Sequence, residues 1–522
     1  MLIDDQSAVI AALSEPEAYG LKRPRKIAVK ETNICDVFMT GEKAYKLKRG
    51  VKYPYVDYST AEKRAAACRR ELEICTRFAP ELCFGVEEVV SDRKGRIFVR
   101  SACPDKDAEV VDYVLVMHQF EEGMLFDNMV DRGDLDRFEM MDTAEKIYGL
   151  HRDAPVVTTV DPVAVIRGRI DENNAMIRCF VPDIFDAEDV DALERDQMSE
   201  LERNTALLEK RRADGKIRVC HGDLNLRNLA MWNGRVTPFN PIEFNDALTN
   251  IDTLYDFAFL LVDMESKGQR RLASILYNHY MALSADWDGV PVLPLYLSCR
   301  AAVNAYVFAQ RSAEMKDRHD SALMANKAYE QLVIARRFLN RPRPVLVACG
   351  GLSGSGKSRI ARETAPFIGN PPGAVILRDD VLRKNMLNTD LEKHVDTATY
   401  TPQLESAVFG RLCDECRTLL RAGQSVVADA LFHDENQRRA IEELAREENA
   451  DFQGLWVDAP LEVRIERVMS RKRNPSDVKT ADELRKQLDI DVGKVDWDKI
   501  DTSGDRMATL TRVRTLLADK CG

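Results

Sequence analysis

The 522-residue chain has no run approaching the ~18 consecutive apolar residues that span a bilayer, so a membrane-embedded class is excluded and no membrane partner is expected. Its start, Met1-Leu-Ile-Asp-Asp-Gln6, lacks the basic and apolar segments of a secretory signal, and a cytoplasmic location is expected. Positive charge is not in excess: 75 Lys and Arg stand against 86 Asp and Glu, a net charge of −11. Binding a nucleic-acid backbone depends on basic faces that release counterions, so nucleic acid is not an expected partner. A disulfide framework is also missing. The twelve cysteines are scattered, mostly in apolar runs, as reduced thiols in cytosolic cores are. Only Cys413-Asp-Glu-Cys416 has metal or redox spacing, and it lies in a helical pattern without a second Cys/His pair, so it reads as structural. There is no internal repeat and no long low-complexity tract.

What is present is ordinary globular composition, 45% apolar and 31% charged, in a chain too long for one core. At ~150 residues per core, three or four units are expected. Residues 1–120 read as a β-rich lobe, with strands at Val37–Met39, Ala44–Lys48, Ile97–Arg100 and Tyr113–Met117 and a helix from a Ser59-Thr60 cap to Phe78. Residues 121–340 read as an α-rich lobe, with short strands and turns over 217–247. Two prolines in Arg341-Pro-Arg-Pro344 break the helical pattern and set a boundary. In 343–522, apolar runs at 345–349, 374–377, 426–428 and 455–457 alternate with helical stretches, which predicts a doubly wound parallel sheet. The expected fold class is therefore multidomain, α+β followed by α/β.

Two phosphate-handling signatures stand in this chain. The run Val345–Cys349 feeds Gly351-Leu-Ser353-Gly354-Ser355-Gly356-Lys357-Ser358, a P-loop between strand and helix. Glycines let backbone N–H groups approach phosphate, Lys357 follows the β/γ-phosphates, and the Ser358 hydroxyl suits Mg²⁺. Downstream, Asp380 and Arg383 are spaced to orient or deprotonate an acceptor and to clamp an anion, at the sheet edge where open α/β folds bind ligands. Asp429 ends the third apolar run with Walker-B geometry, a metal position. Arg464, Arg467 and Arg471 share a helix face, apt for stabilising charge on a transferred phosphoryl group, and Lys472–Asp477 has the composition of a mobile lid.

Far upstream, His221-Gly-Asp223-Leu-Asn-Leu-Arg-Asn228 has the spacing of a kinase catalytic loop, with Asp223 as base and Asn228 as Mg²⁺ ligand. Glu243, with Asp246 in reserve, takes the place of a second acidic ligand. Lys46 is aimed at the α/β-phosphates and paired with Glu71, with Lys48 on the same strand face. Tyr113–Phe120, with Met117, is the adenine hinge.

On these residues, 24–340 resembles the aminoglycoside phosphotransferase branch of the protein-kinase-like fold, since Gly222 stands where protein kinases usually have arginine. There is no G-x-G-x-x-G before the lysine strand, so Thr32–Cys35 is the candidate covering loop, and Glu243 replaces the more usual aspartate. The resemblance makes Asp256 a brace for the catalytic loop. Residues 343–522 resemble small P-loop kinases of the gluconate-kinase, chloramphenicol-phosphotransferase and zeta-toxin group, and do not resemble ring-forming AAA+ motors. The order of the halves resembles the bacterial bifunctional aminoglycoside phosphotransferase/ATP-binding fusion family. It implies a protein-kinase-like bilobal fold, a P-loop domain, and use of ATP and Mg²⁺ to phosphorylate small-molecule hydroxyls. An active P-loop half beside a regulatory or substrate-binding pseudokinase half, and a nucleotide-dependent switch acting on a protein partner, remain open alternatives. Neither the acceptors nor the oligomeric state is legible.

Overall fold

Alternation along Lys43–Lys48 decides what the first sheet presents. Tyr45 and Leu47 point into a core with Phe38, Val89, Val114 and Val116, which leaves Lys46 and Lys48 together on the opposite face. In the computed structural model, which describes residues 5–21, 26–53, 56–393, 395, 399–470 and 480–518, this strand pairs antiparallel with Cys35–Met39 and Glu109–His118. The antiparallel sheet has six strands, ordered Ala28–Glu31, Cys35–Met39, Lys43–Lys48, Glu109–His118, Cys83–Ser91 and Ile97–Val99. The helix Ala61–Phe78 starts where expected, with the Thr60 hydroxyl accepting from the Lys63 N–H, and packs on the strands Glu109–His118 and Cys83–Ser91.

A buried ion pair fixes that helix. Arg64 donates from Nε and Nη2 to the Asp112 carboxylate at 2.9 and 2.8 Å, with both side chains 1% exposed, and Gln6 donates to the same carboxylate at 2.7 Å. Glu71 lies two turns further along the helix, on the same face. Two compact units are formed: residues 1–135 with 149–160 and 215–260, and residues 136–148 with 161–214 and 261–522. Within the first, the catalytic-loop segment lies between the strand Ile217–Val219 and the hairpin Leu229–Trp232/Arg235–Pro238. Ile217–Val219 also pairs antiparallel with Asn250–Asp252.

In the second unit, long helices precede the parallel sheet. Leu293–Glu314 and Arg318–Phe338 pack on each other, and Arg211 is ion-paired to Asp286 inside this region. The stretch Trp287–Glu314 is long and apolar enough to cross a membrane, but 72% of its apolar window is buried in the fold, as befits a core helix. The sheet runs Val375–Arg378, Val426–Asp429, Val345–Gly350, Asp451–Asp458, Asp498–Asp501, all parallel. Every residue of Val345–Gly350 is buried, which explains its unbroken apolar character. The expected helices at 402–420 and 435–448 form as Pro402–Arg421 and Glu435–Glu447.

Replacing Arg64 by Met leaves Asp112 buried without its cation. The expected cost is about 3–5 kcal/mol of stability in the first unit, read by chemical denaturation. A loss below about 1 kcal/mol would show that the pair does not hold the helix.

Candidate active sites

The lysine face of the first sheet meets Glu71. Lys46 Nζ lies 2.6 Å from Glu71 Oε1 and 2.7 Å from the side-chain oxygen of Asn240, while Lys48 bonds both Glu71 and Glu243. Burial works against the Glu71 carboxylate, but the two ammonium groups outweigh it and hold its pKa at about 2. Glu243 Oε1 also accepts from the Tyr58 hydroxyl at 2.7 Å. The expected pairing of Lys46 with Glu71 is thus present, and Lys48 ties the same helix to Glu243.

The catalytic-loop residues converge as their spacing implies. Asp223 accepts from the amides of Asn225 at 2.8 Å and Asn228 at 2.7 Å, one on each carboxylate oxygen. Asn240 donates to Asn228 Oδ1 at 3.2 Å, completing a polar chain from Lys46 to Asp223. Asp256 accepts from the backbone N–H groups of His221 and Gly222 at 3.0 and 2.9 Å, the bracing position expected of it. Gly222 has φ +84°, and an added Cβ would lie 2.9 Å from the Leu248 carbonyl, so the loop needs glycine there. His151, Cys220 and Asp256 lie close enough to ligate a metal, but both Asp256 oxygens already receive backbone N–H groups, so the cluster reads as the brace.

Met117 sits opposite Ala44 and Cys83 in the sheet, and beside it Phe84, His118 and Trp232 form an aromatic row with ring centroids 4.0 and 5.2 Å apart. Thr32–Cys35 closes on itself, Thr32 N–H donating to the Cys35 carbonyl at 2.8 Å. Asp246 is exposed at the start of a four-residue helix. Sequence reading missed Asn240, whose only signal is an asparagine with left-handed φ (+58°) just before Pro241. It also missed the aromatic row, whose members lie on three separate strands.

In the second unit the P-loop has the expected strand-to-helix setting. An added Cβ at Gly351 would lie 2.1 Å from the Val457 carbonyl, and one at Gly354 2.7 Å from that of Arg464, so neither position admits a side chain. Lys357 reaches back to the Leu352 carbonyl at 3.2 Å, and burial pulls its pKa down despite the nearby Asp429, Asp379 and Asp380. Three buried polar atoms here have no hydrogen-bond partner: the Ser355 hydroxyl, Arg378 Nε and Asp429 Oδ2, the last two forming an ion pair at 3.8 Å. Burial raises the Asp429 pKa, and its carboxylate is within reach of the Ser358 hydroxyl. A hard cation shared by Ser358 and Asp429 suits this donor set.

These groups open on a cavity of about 900 Å³ lined by Lys357, Ser358, Asp379, Asp380, Arg383 and Arg467, among others. Asp380 pairs with Arg378 and caps the Val381 N–H. Its neighbour Asp379, which sequence reading passed over, is pushed up to about 6 by burial and by Asp380. Arg383 is held bidentately by Glu405 at 3.0 and 3.1 Å, so its charge is already matched. Arg467 donates to the Ser355 carbonyl and to Thr502. Arg464 is 2% exposed and donates to the Ser353 carbonyl at 2.8 Å, bracing the P-loop from behind. Gln487 bonds Ser353 and Arg464 together, a support with no sequence signature. Arg471 and the lid segment Lys472–Asp477 lie outside the described residues. Cys413 and Cys416 lie in the helix Pro402–Arg421, with burial raising both thiols.

Residues 345–489 match a family model described as an AAA domain. An uncharacterized protein of Mycobacterium tuberculosis is 27% identical over 489 residues, covering 92% of this chain and 93% of that protein. A UPF0200 protein of Aeropyrum pernix is 30% identical over 156 residues, 29% of this chain and 78% of its own length. Among solved structures, a choline/ethanolamine kinase family protein from Mesorhizobium loti aligns with TM-score 0.38 at 13% identity, over 65% of this chain and 95% of that one. Residues 345–489 thus match the AAA-domain model within the half that carries the five-stranded parallel sheet, and through this half the chain belongs to the family of the UPF0200 protein.

Proposed function

We propose that the chain is an ATP-dependent phosphotransferase with two nucleotide sites, transferring the γ-phosphoryl group to hydroxyls of small molecules. The observation that carries this reading is the P-loop cleft, where Lys357, Asp429 and the Asp379–Asp380 pair open on one cavity large enough for a nucleotide and a small acceptor. Ser358 and Asp429 would hold Mg²⁺, which when bound would supply charge neutralisation to the phosphates. The chain's own groups do the rest. Lys357 follows the transferred group, and Arg467 sits at the P-loop to offset charge that grows during transfer. The carboxylates at 379–380 orient the acceptor hydroxyl and take its proton. In the first half, Asp223 has the corresponding role, with Lys46 on the phosphates and the Phe84–His118–Trp232 row beside Met117 as an apolar wall for the base. The two halves meet at 341–344 in this reading, and the chain works in the cytoplasm.

A second reading rests on a specific contact. Glu243, the acidic metal position, is engaged by Lys48 and Tyr58. If that engagement persists with nucleotide bound, the first half holds ligands without transferring phosphate.

Lys357→Ala is expected to lower acceptor-dependent ADP formation at the P-loop site about 100- to 1000-fold, measured by coupled ADP release. Asp223→Ala should leave that P-loop activity within about twofold, since the two sites share no residue. For the first half, Glu243→Ala distinguishes the readings. Abolition of a Mg²⁺-dependent rise in nucleotide affinity marks Glu243 as a metal ligand. Unchanged Mg²⁺ dependence with lowered thermal stability marks it as a structural partner of Lys48.

A further inference from the structure

The side chains of two arginines in the P-loop cleft make neither an ion pair nor a hydrogen bond with any described residue. Arg359 follows Ser358 directly, in the first turn of the P-loop helix Lys357–Thr364. Arg137 opens the helix Arg137–Asp153, and both line the cavity that holds Lys357, Asp379 and Asp380. Other cleft arginines are satisfied within the protein: Arg378 by Asp380, Arg383 by Glu405 and Arg506 by Glu363. Arg137 stacks on Phe138 with its guanidinium 4.4 Å from the ring centroid, a contact that holds the group without neutralising it. The adjacent Asp136 carboxylate caps the backbone N–H groups of Phe138 and Glu139 through one oxygen and also feels the Arg137 charge. Burial lowers the Arg359 pKa, and the nearby Arg506, Arg467 and Arg137 lower it further, so positive charge gathers on this side of the cleft.

The position of this pair indicates what the anion belongs to. The nucleotide's β/γ-phosphates have Lys357 and the P-loop N–H groups. Arg137 stands on a wall that lies outside residues 343–522 and is completed by the helix Arg270–Ser284. The Asn278 side chain of that helix accepts from the Ile376 N–H at 2.7 Å and donates to the Ala374 carbonyl at 3.3 Å, clipping the wall to the strand that leads into Asp379 and Asp380. His279, on the same wall, is oriented by Glu145 at 3.1 Å. The wall therefore faces the acceptor end.

We propose that Arg137 and Arg359 form a second anion subsite in the P-loop cleft, which takes a phosphate or carboxylate group of the acceptor, so that the acceptor is an anionic, hydroxyl-bearing small molecule. This rests on the phosphotransferase reading above. It also gives the long upstream region a direct part in the P-loop site, because half of the subsite comes from a helix more than two hundred residues before the P-loop.

The test is calorimetric titration of inorganic phosphate, and separately of malonate, into the full chain saturated with Mg²⁺ and a non-hydrolysable ATP analogue. One phosphate or malonate site is expected, weakened about 10-fold or more in Arg137→Gln and in Arg359→Gln, retained in the lysine variants, with analogue affinity unchanged. The stronger of the two probes assigns the anion as phosphate or carboxylate. No anion binding in the analogue-loaded protein, or affinity in both glutamine variants unchanged from the unsubstituted protein, overturns the subsite. So does loss of analogue affinity in parallel with loss of phosphate, which assigns the arginines to the nucleotide. Because the readout is equilibrium binding without turnover, failure of the phosphotransferase reading would show separately, as absence of acceptor-dependent ADP formation in the unsubstituted protein.

Discussion

A lysine withdrawn from water must find negative charge, and the two halves of this chain meet that requirement in opposite ways. In the first half Lys46 and Lys48 are matched inside the protein by Glu71 and Glu243. In the second, Lys357 has only a backbone carbonyl and a set of carboxylates at longer range, and burial lowers its pKa. The first arrangement is complete in itself. The second is left open, with Lys357, Arg137 and Arg359 lining one cleft without an ion pair to any described residue, and the proposed nucleotide, cation and anionic acceptor would complete it.

The fold serves these demands directly. Period-2 alternation puts both lysines of Lys43–Lys48 on one face, and the Arg64–Asp112 pair anchors the helix that brings Glu71 to them. In the P-loop half, six consecutive buried residues drive the central strand through the sheet so that its glycine-rich exit meets the carboxyl ends of Val375–Arg378 and Val426–Asp429. Asp379, Asp380 and Asp429 then arrive at one edge because their strands are parallel and in register.

Much of this was legible in the sequence because the signals are local. The P-loop, the His221–Asn228 spacing, the Thr60 cap and the apolar runs each carry their physics within a few residues, and each stands where its pattern places it. Asp256 braces the catalytic loop as the family resemblance implies. What was not legible is non-local or atypical. The fifth parallel strand, Asp498–Asp501, reads Asp-Lys-Ile-Asp and lies at the sheet edge with only Ile500 buried, so it has no apolar run to announce it. Cys83–Ser91 carries two adjacent glutamates and two irregularities in register, which blur its alternation. Asn240, Gln487 and Asn278 act through contacts to residues distant in sequence, and none has a motif. That Arg378 captures Asp380 rather than Asp379 is likewise something spacing cannot show.

The central claim is that one chain holds two nucleotide sites, and MgATP stoichiometry by calorimetry tests it most directly. Two sites are expected in the unsubstituted protein, with one lost in the Asp223→Ala/Asn228→Ala protein and the other in Lys357→Ala. A single site, abolished by Lys357→Ala and untouched by the paired substitution, would contradict the account and leave the P-loop half as the sole nucleotide-dependent enzyme in the chain.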